Sequence, residues 1–288
     1  MCIAPLRLPD RTVKCGQCKE CLEAKAKEWS IRLNQELKYS KTGYFLTLTY
    51  NEENLPLAVD EETGECNSTF NKKDVQKFLM RLRKENSKHS STPLRYYCTA
   101  EYGGRTGRAH YHMLLFNLSP RITSYDPFAK NRRAQFDPDI ARIWKKGQVM
   151  TGIVEGGSIN YVTNYMLTKN IDVQPGQMKP FTLMSKGIGS KYVDKNKDWH
   201  NFHEIYKVNS PRPLEKRPNM PRYYMEKIFT EPMREMFNRE KEEEQKLIQE
   251  AWYKAAEEHD PLDPIGWIKK QKEIKRNNKK RPDKAKRL

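Results

Sequence analysis

Residues 101–117, EYGGRTGRAHYHMLLFN, decide how this chain folds. Ala109–Asn117 reads as a strand, and Leu94–Glu101 before it reads as another, rich in aromatic and β-branched residues. The glycine-rich turn YGGRTGR joins them, and the eight residues between Glu101 and His110 suffice for a hairpin loop. Side chains two apart on a strand point to the same face, so His110 and His112 look into one space. The hairpin sets Glu101 across from them on the neighbouring antiparallel strand.

Outward from this hairpin the pattern extends in both directions. Upstream, Lys72–Lys84 carries Val75, Phe78, Leu79 and Leu82 at helical spacing, and Tyr44–Tyr50, YFLTLTY, reads as a strand. Residues 51–70 read as an irregular loop, and Leu22–Tyr39 reads as a helix with Leu22, Trp29, Leu33 and Leu37 on a shared face. Downstream come a short helix around Ile140–Trp144 and a strand, Gln148–Val154. Gly156, Gly157 and Ser158 then lead into a helix, Ile159–Lys169, with Ser158 as its expected N-cap. The order strand, helix, strand, strand, helix, strand, helix is the split βαβ arrangement of ferredoxin-like domains. The expected fold class is therefore α+β, an antiparallel sheet with helices on one face.

Four regions are expected. Residues 1–40 form a cysteine-rich segment and helix, and 41–210 hold the sheet domain. Residues 211–260 hold a connection marked by Pro211, Pro213, Pro218 and Pro221, then a charged helix over Met233–Ala256. Residues 261–288 form a basic tail expected to be disordered. On the charged helix Leu247, Ile248, Ala251, Trp252 and Ala255 form an apolar stripe, suited to docking on the main domain or a second copy.

The chain has 288 residues and a formal charge of +17, with 54 Lys and Arg against 37 Asp and Glu, so a polyanion is the expected partner. The tail alone holds eleven Lys or Arg and three Asp or Glu. No apolar run approaches the ~18 residues of a membrane span, and no secretory signal precedes the first helix, so an intracellular protein without a membrane is expected. The six cysteines then read as thiols or metal ligands rather than disulfides. No phosphate-binding G-x4-G-K-[ST] loop occurs, which argues against an intrinsic helicase or ATPase.

Two imidazoles and a carboxylate leave open positions on a divalent ion, as a catalytic centre requires. The set is His110, His112 and Glu101, with Glu155 or a glutamine as competitors for the third place. Its mixed nitrogen and oxygen donors suit manganese or magnesium. About fifty residues on, SINYVTNYMLTKN places Tyr161, Tyr165 and Lys169 four apart, one above another on a helix. Judged alone, such tyrosines are aromatic packing. Following a His-x-His strand in a basic chain, they read as nucleophiles for a phosphodiester, with the ion neutralising developing charge and Lys169 adding a fixed cation. Attack by a phenol stores the phosphodiester energy in a protein–DNA bond, and a second tyrosine permits a new cut while the first holds DNA.

Cys15, Cys18 and Cys21 in CGQCKEC, with Cys2 as a fourth, suit a structural zinc; reduced thiols beside a helix start, or an iron–sulfur cluster, are the other readings. In MSKGIGSK, Lys186, Lys191 and the backbone amides either bind DNA phosphates or form an ordinary turn. Tyr96, Tyr97 and Tyr102 could stack on bases, although packing is the commoner fate of such residues.

These segments together resemble the HUH-type rolling-circle replication initiators, above all those of the gokushovirus-like microviruses, small single-stranded DNA phages. FLTLTY, EYGGRTGRAHYHMLLF, YVTNYMLTK, SKGIGSKYV and CGQCKECLEAKAKEWSIRL resemble that family's segments in its order, over roughly residues 2–195. The resemblance implies an HUH endonuclease fold that nicks single-stranded origin DNA. It leaves a 5′-phosphotyrosine on Tyr161 or Tyr165 and a free 3′-hydroxyl for a host polymerase, and later religates product. A host helicase would unwind the strands, and the place of work would be the cytoplasm of a bacterial host. His110 and His112 would bind the metal and Lys169 would assist. Asn164 precedes Tyr165 where many members carry a lysine, a departure that bears on a charge at that point and not on nicking. Two rivals remain: a basic zinc-containing DNA-binding regulator without catalysis, and a metallohydrolase in which water attacks. Oligomeric state is not set by the sequence.

Overall fold

The computed structural model describes residues 2, 5–9, 12–104, 106–129, 134–165, 173–214, 217–268, 270, 271 and 274. It divides into two compact units, Met1–Tyr224 and Met225–Leu288. The first begins with β1 (Leu6–Arg7), β2 (Thr12–Val13), α1 (Lys19–Lys38) and β3 (Gly43–Thr49). It continues through β4 (Leu57–Val59), β5 (Cys66–Ser68), α2 (Lys72–Ser87), β6 (Arg95–Tyr102) and β7 (Ala109–Phe116). Then come β8 (Gln135–Phe136), α3 (Pro138–Trp144), β9 (Val149–Ile153), α4 (Gly156–Asn164), β10 (Thr182–Met184) and α5 (Ser190–His203). A short helix, α6 (Arg222–Ile228), spans the boundary, and α7 (Glu231–His259) lies in the second unit.

One six-stranded sheet, in the order β10-β6-β7-β3-β9-β8, carries the first unit, and every neighbouring pair is antiparallel. Within it the four strands β3, β6, β7 and β9 lie in the order β6-β7-β3-β9, with α2 and α3 as the two crossover helices. Strand β3 shows why both faces are covered. Its Tyr44, Leu46 and Leu48 point to one side and Phe45, Thr47 and Thr49 to the other.

Leu46 and Leu48 meet Val75, Phe78, Leu79 and Leu82 of α2 and Ile140 and Trp144 of α3 in one core. The spacing of the α2 residues lays them along one stripe, and the Asn71 side chain caps the helix by accepting from the Lys73 amide. Trp144 is fully buried and satisfies its indole N–H on the Thr49 carbonyl at 2.9 Å. Gly147 is required where the chain passes the backbone of Tyr50: its φ is +149° and a Cβ would collide with Thr49 and Asn51.

On the opposite face Ala26 and Leu33 of α1 and Ile159 and Val162 of α4 pack against Tyr97, Leu114 and Phe116. The buried Glu36 carboxylate of α1 accepts from Arg95 Nε and from the Gly189 amide, both at 2.6 Å, which ties α1 to β6 and to the loop before α5.

The expected element order holds from Leu22 to Asn164, with several corrections. The crossover helices share one face as expected, but α1 and α4 cover the other, so helices lie on both. Residues 51–70 are not an irregular loop: β4 and β5 form a hairpin there. Ser158 is not the N-cap of α4. The helix starts two residues earlier with Glu155 as cap, and the Ser158 hydroxyl accepts from the Glu155 amide at 2.9 Å. The edge strands β8 and β10 and helix α5 carried no periodic signal that separated them from loops.

In the second unit α7 covers the expected charged helix, with Leu247 and Ile248 of its stripe exposed. Residues 264–268, at the start of the tail expected to be disordered, are helical, and 275–288 lie outside the described residues.

This core predicts an asymmetry on α2 and β3. Leu46→Ala, at a fully buried position, should lower the unfolding free energy by about 2–5 kcal/mol in urea titrations. Met80→Ala, on the solvent side of α2, should change it by no more than about 0.5 kcal/mol.

Candidate active site

Register builds the site. Glu101 of β6 stands directly opposite His110 of β7, and His112 stands opposite both Thr99 of β6 and Thr47 of β3. Paired residues share a face, so Glu101, His110, His112 and Thr47 all project to the side covered by α1 and α4. Both imidazoles converge on one carboxylate oxygen: Glu101 Oε2 lies 2.9 Å from His112 Nε2 and 3.3 Å from His110 Nε2. The far nitrogens are held as well. His110 Nδ1 donates to the Arg108 carbonyl at 3.1 Å, which leaves Nε2 as the ligating nitrogen, and His112 Nδ1 lies 3.1 Å from Thr47 Oγ1.

Helix α4 brings the tyrosines to the same place. Ile159 and Val162 are buried beneath it, so Tyr161 falls on the flank facing β7. Its hydroxyl lies 3.4 Å from His112 Nε2, and its side chain is 47% exposed. Tyr165, the C-cap of α4, stacks on the His112 ring at 5.5 Å and 6°, while Phe45 stacks on that imidazole at 5.6 Å and 9°. His112 is thus held between two aromatic rings with its Nε2 edge turned to Glu101 and Tyr161.

Burial alone would raise the Glu101 carboxyl, but hydrogen bonds from His110, His112 and Tyr165 outweigh it and hold the group down at about 2. Desolvation works against a charged His110, yet its contacts with Glu101 and the Arg108 carbonyl leave its pKa raised. At His112, which is more deeply buried, desolvation prevails and the pKa is lowered. Tyr165 is raised, first by burial and then by its hydrogen bond to the Glu101 carboxylate.

The three donor atoms lie within 4.8 Å of one another and could hold a metal ion. Adjacent octahedral ligands at ~2.1 Å from an ion lie about 3.0 Å apart. The two Glu101–histidine separations, 2.9 and 3.3 Å, fit that spacing. A second group, Cys2, Cys15, Cys18 and Cys21, could also hold an ion.

Glu155, the competitor for the third ligand, instead caps α4. Lys169 lies outside the described residues. Lys186 and Lys191 are exposed and stand apart from the cluster. The Lys186 carbonyl accepts from Arg95, six residues along β6 from Glu101 or about 20 Å at strand rise. The glycine loop between these lysines is turned towards α1, because the Gly189 amide serves Glu36 and the Ile188 carbonyl accepts from Arg32. Tyr97 is fully buried, Tyr96 packs on the α2 and α3 side, and Tyr102 packs against Phe70. Sequence reasoning missed Phe45 and Thr47. Both lie in the FLTLT strand, and their alternation was visible; their register against His112 was not.

Comparisons with known proteins agree on one group. The family model of the replication-associated protein ORF2 group matches residues 43–170, the span from β3 to the region just after α4. Replication-associated protein ORF2 of Spiroplasma virus 4 is 31% identical over 219 residues, 74% of this chain and 66% of the relative. Replication-associated protein VP4 of Bdellovibrio phage phiMH2K is 30% identical over 217 residues, again 74% and 66%. Replication-associated protein ORF4 of Chlamydia phage 1 is 24% identical over 162 residues, 54% of this chain and 38% of the relative. The chain thus spans just under two thirds of the length of the first two relatives. No solved structure matches it.

Metal binding should be proton-linked through His110. Glu101 stays ionised down to about 2 and His112, with its lowered pKa, is the more readily neutral ring, so the proton an ion must displace sits on His110. Because that pKa is raised, manganese affinity should fall as pH drops through it, with proton release seen calorimetrically in buffers of different ionisation enthalpy. Glu101→Gln should cost at least the ~10–100-fold in affinity that loss of an outer-shell partner costs.

Proposed function

The chain belongs to the replication-associated protein ORF2 family, and from that premise we propose that it is a rolling-circle replication initiator of a microvirus, an HUH-type endonuclease that nicks single-stranded origin DNA with a tyrosine. The observation that carries this reading is the Tyr161 hydroxyl 3.4 Å from His112 Nε2, on the edge of a cluster in which His110 and His112 share the Glu101 carboxylate. The strand order β6-β7-β3-β9 with two crossover helices supports the ferredoxin-like core of an HUH endonuclease.

Glu101, His110 and His112 would hold magnesium or manganese, a divalent ion that polarises a non-bridging phosphate oxygen and offsets charge as the phosphorus is attacked. Thr47 and the Arg108 carbonyl keep the two rings oriented with Nε2 inward. Phe45 and Tyr165 exclude water from the faces of His112. The Tyr161 oxygen forms the new bond to phosphorus, and the bond from phosphorus to the 3′-oxygen breaks. The phenol loses one proton and the departing 3′-oxygen gains one. The products are a 5′-phosphotyrosine and a free 3′-hydroxyl, and the exchange is reversible because one phosphodiester replaces another.

The two tyrosines differ, and the difference sets their order. Tyr165 is raised by burial and bonded to Glu101, so it is the poorer nucleophile at rest, whereas Tyr161 is half exposed and open to a strand. Tyr161 therefore makes the first cut, and Tyr165 acts once its hydroxyl leaves Glu101. Lys169 remains the proposed fixed cation of the site, and Lys186 and Lys191 remain proposed contacts to DNA phosphates at a distance from the cut. Bacterial cytoplasm is the proposed place of action, with a host helicase and polymerase completing the reaction. Among the described residues no helix is long and apolar enough to cross a membrane.

Origin DNA labelled on the 5′-phosphate side of the nick, mixed with manganese and resolved on a denaturing gel, tests the reading. The parent chain should carry label at the protein's mass. Tyr161→Phe should lose the first cleavage by at least ~100-fold, while Tyr165→Phe keeps it and loses the second transfer. Cleavage without a protein-bound label would make water the nucleophile. Tight binding without cleavage would leave a DNA-binding regulator.

A further inference from the structure

The segment before α1 has no core to hold it. Among its described residues none is buried, Leu6 and Leu8 are 55% and 43% exposed, and β1 and β2 pair over only two residues each. A hairpin of this size cannot stand on its own backbone hydrogen bonds. Yet four sulfurs meet at its base. Cys2 Sγ lies 3.5 Å from Cys15 Sγ and 3.8 Å from Cys18 Sγ, and Cys15 Sγ lies 3.9 Å from Cys21 Sγ. All four fall within 4.8 Å of one another, and none is in a disulfide.

Four thiolates at ~2.3 Å from a zinc ion form a tetrahedron with edges of about 3.8 Å. The observed separations cluster around that length. The surroundings also suit sulfur anions. The Cys15 amide donates to Cys2 Sγ and the Cys18 amide to Cys15 Sγ, both at 3.3 Å, and Lys14 and Lys19 flank the motif in sequence. From this convergence we infer that Cys2, Cys15, Cys18 and Cys21 bind one zinc ion in a closed tetrathiolate site.

The site is structural in kind. Four thiolates fill a tetrahedral ion and leave no position for substrate. Its free energy of binding replaces the hydrophobic burial that residues 2–18 lack. Cys18 is the N-cap of α1 and Cys21 lies in its first turn, so the ion fixes the start of that helix. Helix α1 in turn backs α4: Ala26 and Leu33 share a core with Ile159 and Val162, and Ser30 donates to Asn160 at 2.8 Å. The staple therefore secures, at one remove, the helix that carries Tyr161. This inference is independent of the nuclease reading, because the four cysteines lie outside the region that the family model matches.

Metal analysis of the full chain carrying His110→Ala and His112→Ala, which removes the nitrogen and oxygen site, tests it. One zinc per chain should remain, be released stoichiometrically by a mercurial reagent, and survive Cys66→Ser. Cys18→Ser with Cys21→Ser should lose it. Since that pair of substitutions can also impair folding, cobalt exchange into the otherwise intact chain supplies the deciding spectrum: strong thiolate-to-cobalt charge transfer with tetrahedral d–d bands. A chain that folds with no zinc and with all four thiols freely alkylated overturns the inference, as does a cobalt spectrum without thiolate character or an iron–sulfur absorption.

Discussion

Everything around the site depends on one carboxylate being shared by two imidazoles on the next strand. Glu101 Oε2 meets both His110 and His112 only because β6 and β7 are in the register that sets Glu101 opposite His110. A slip of one residue would turn all of these side chains to the α2 and α3 face, among Leu46, Phe78 and Trp144. The apolar alternation that fills that face therefore fixes the polar cluster on the other. Core and chemistry are two sides of a single constraint.

That constraint has an energetic cost, which the surroundings offset. A carboxylate with histidines half removed from water is unfavourable unless every polar atom has a partner. Here the Thr47 hydroxyl, the Arg108 carbonyl and the neighbouring tyrosines supply them, and a divalent ion would complete the set. Helices α1 and α4 exclude solvent from this side of the sheet, which strengthens each electrostatic contact beneath them. The Glu36 clamp to Arg95 and Gly189 fixes the end of α1 that lies farthest from the four cysteines.

Much of the site was legible in the sequence because it follows from short-range periodicity. His-x-His on a strand, a turn of the right length after Glu101, and tyrosines four apart on a helix each need only a local rule. What was not legible depends on which segments meet in space. Phe45 and Thr47 join the site through the β3–β7 register, and α1 lies on the second face of the sheet because α4 presents Ile159 and Val162 to it. The β4–β5 hairpin escaped notice because three-residue strands rich in polar residues carry no clear alternation. The start of α4 was misplaced because two glycines mask its first turn, and a glutamate rather than the adjacent serine caps it. The phosphate-binding reading of the MSKGIGSK loop overlooked Glu36, which takes the Gly189 amide from 153 residues away.

The central claim is that Glu101, His110 and His112 form one metal centre directly beneath Tyr161. Anomalous diffraction from a crystal grown with manganese measures it most directly. The account predicts a single strong peak bonded to both histidine Nε2 atoms and to Glu101 Oε2, on the side of His112 that faces the Tyr161 hydroxyl. A peak elsewhere, coordination through Nδ1, or a well-ordered cluster with no peak at saturating manganese would contradict it.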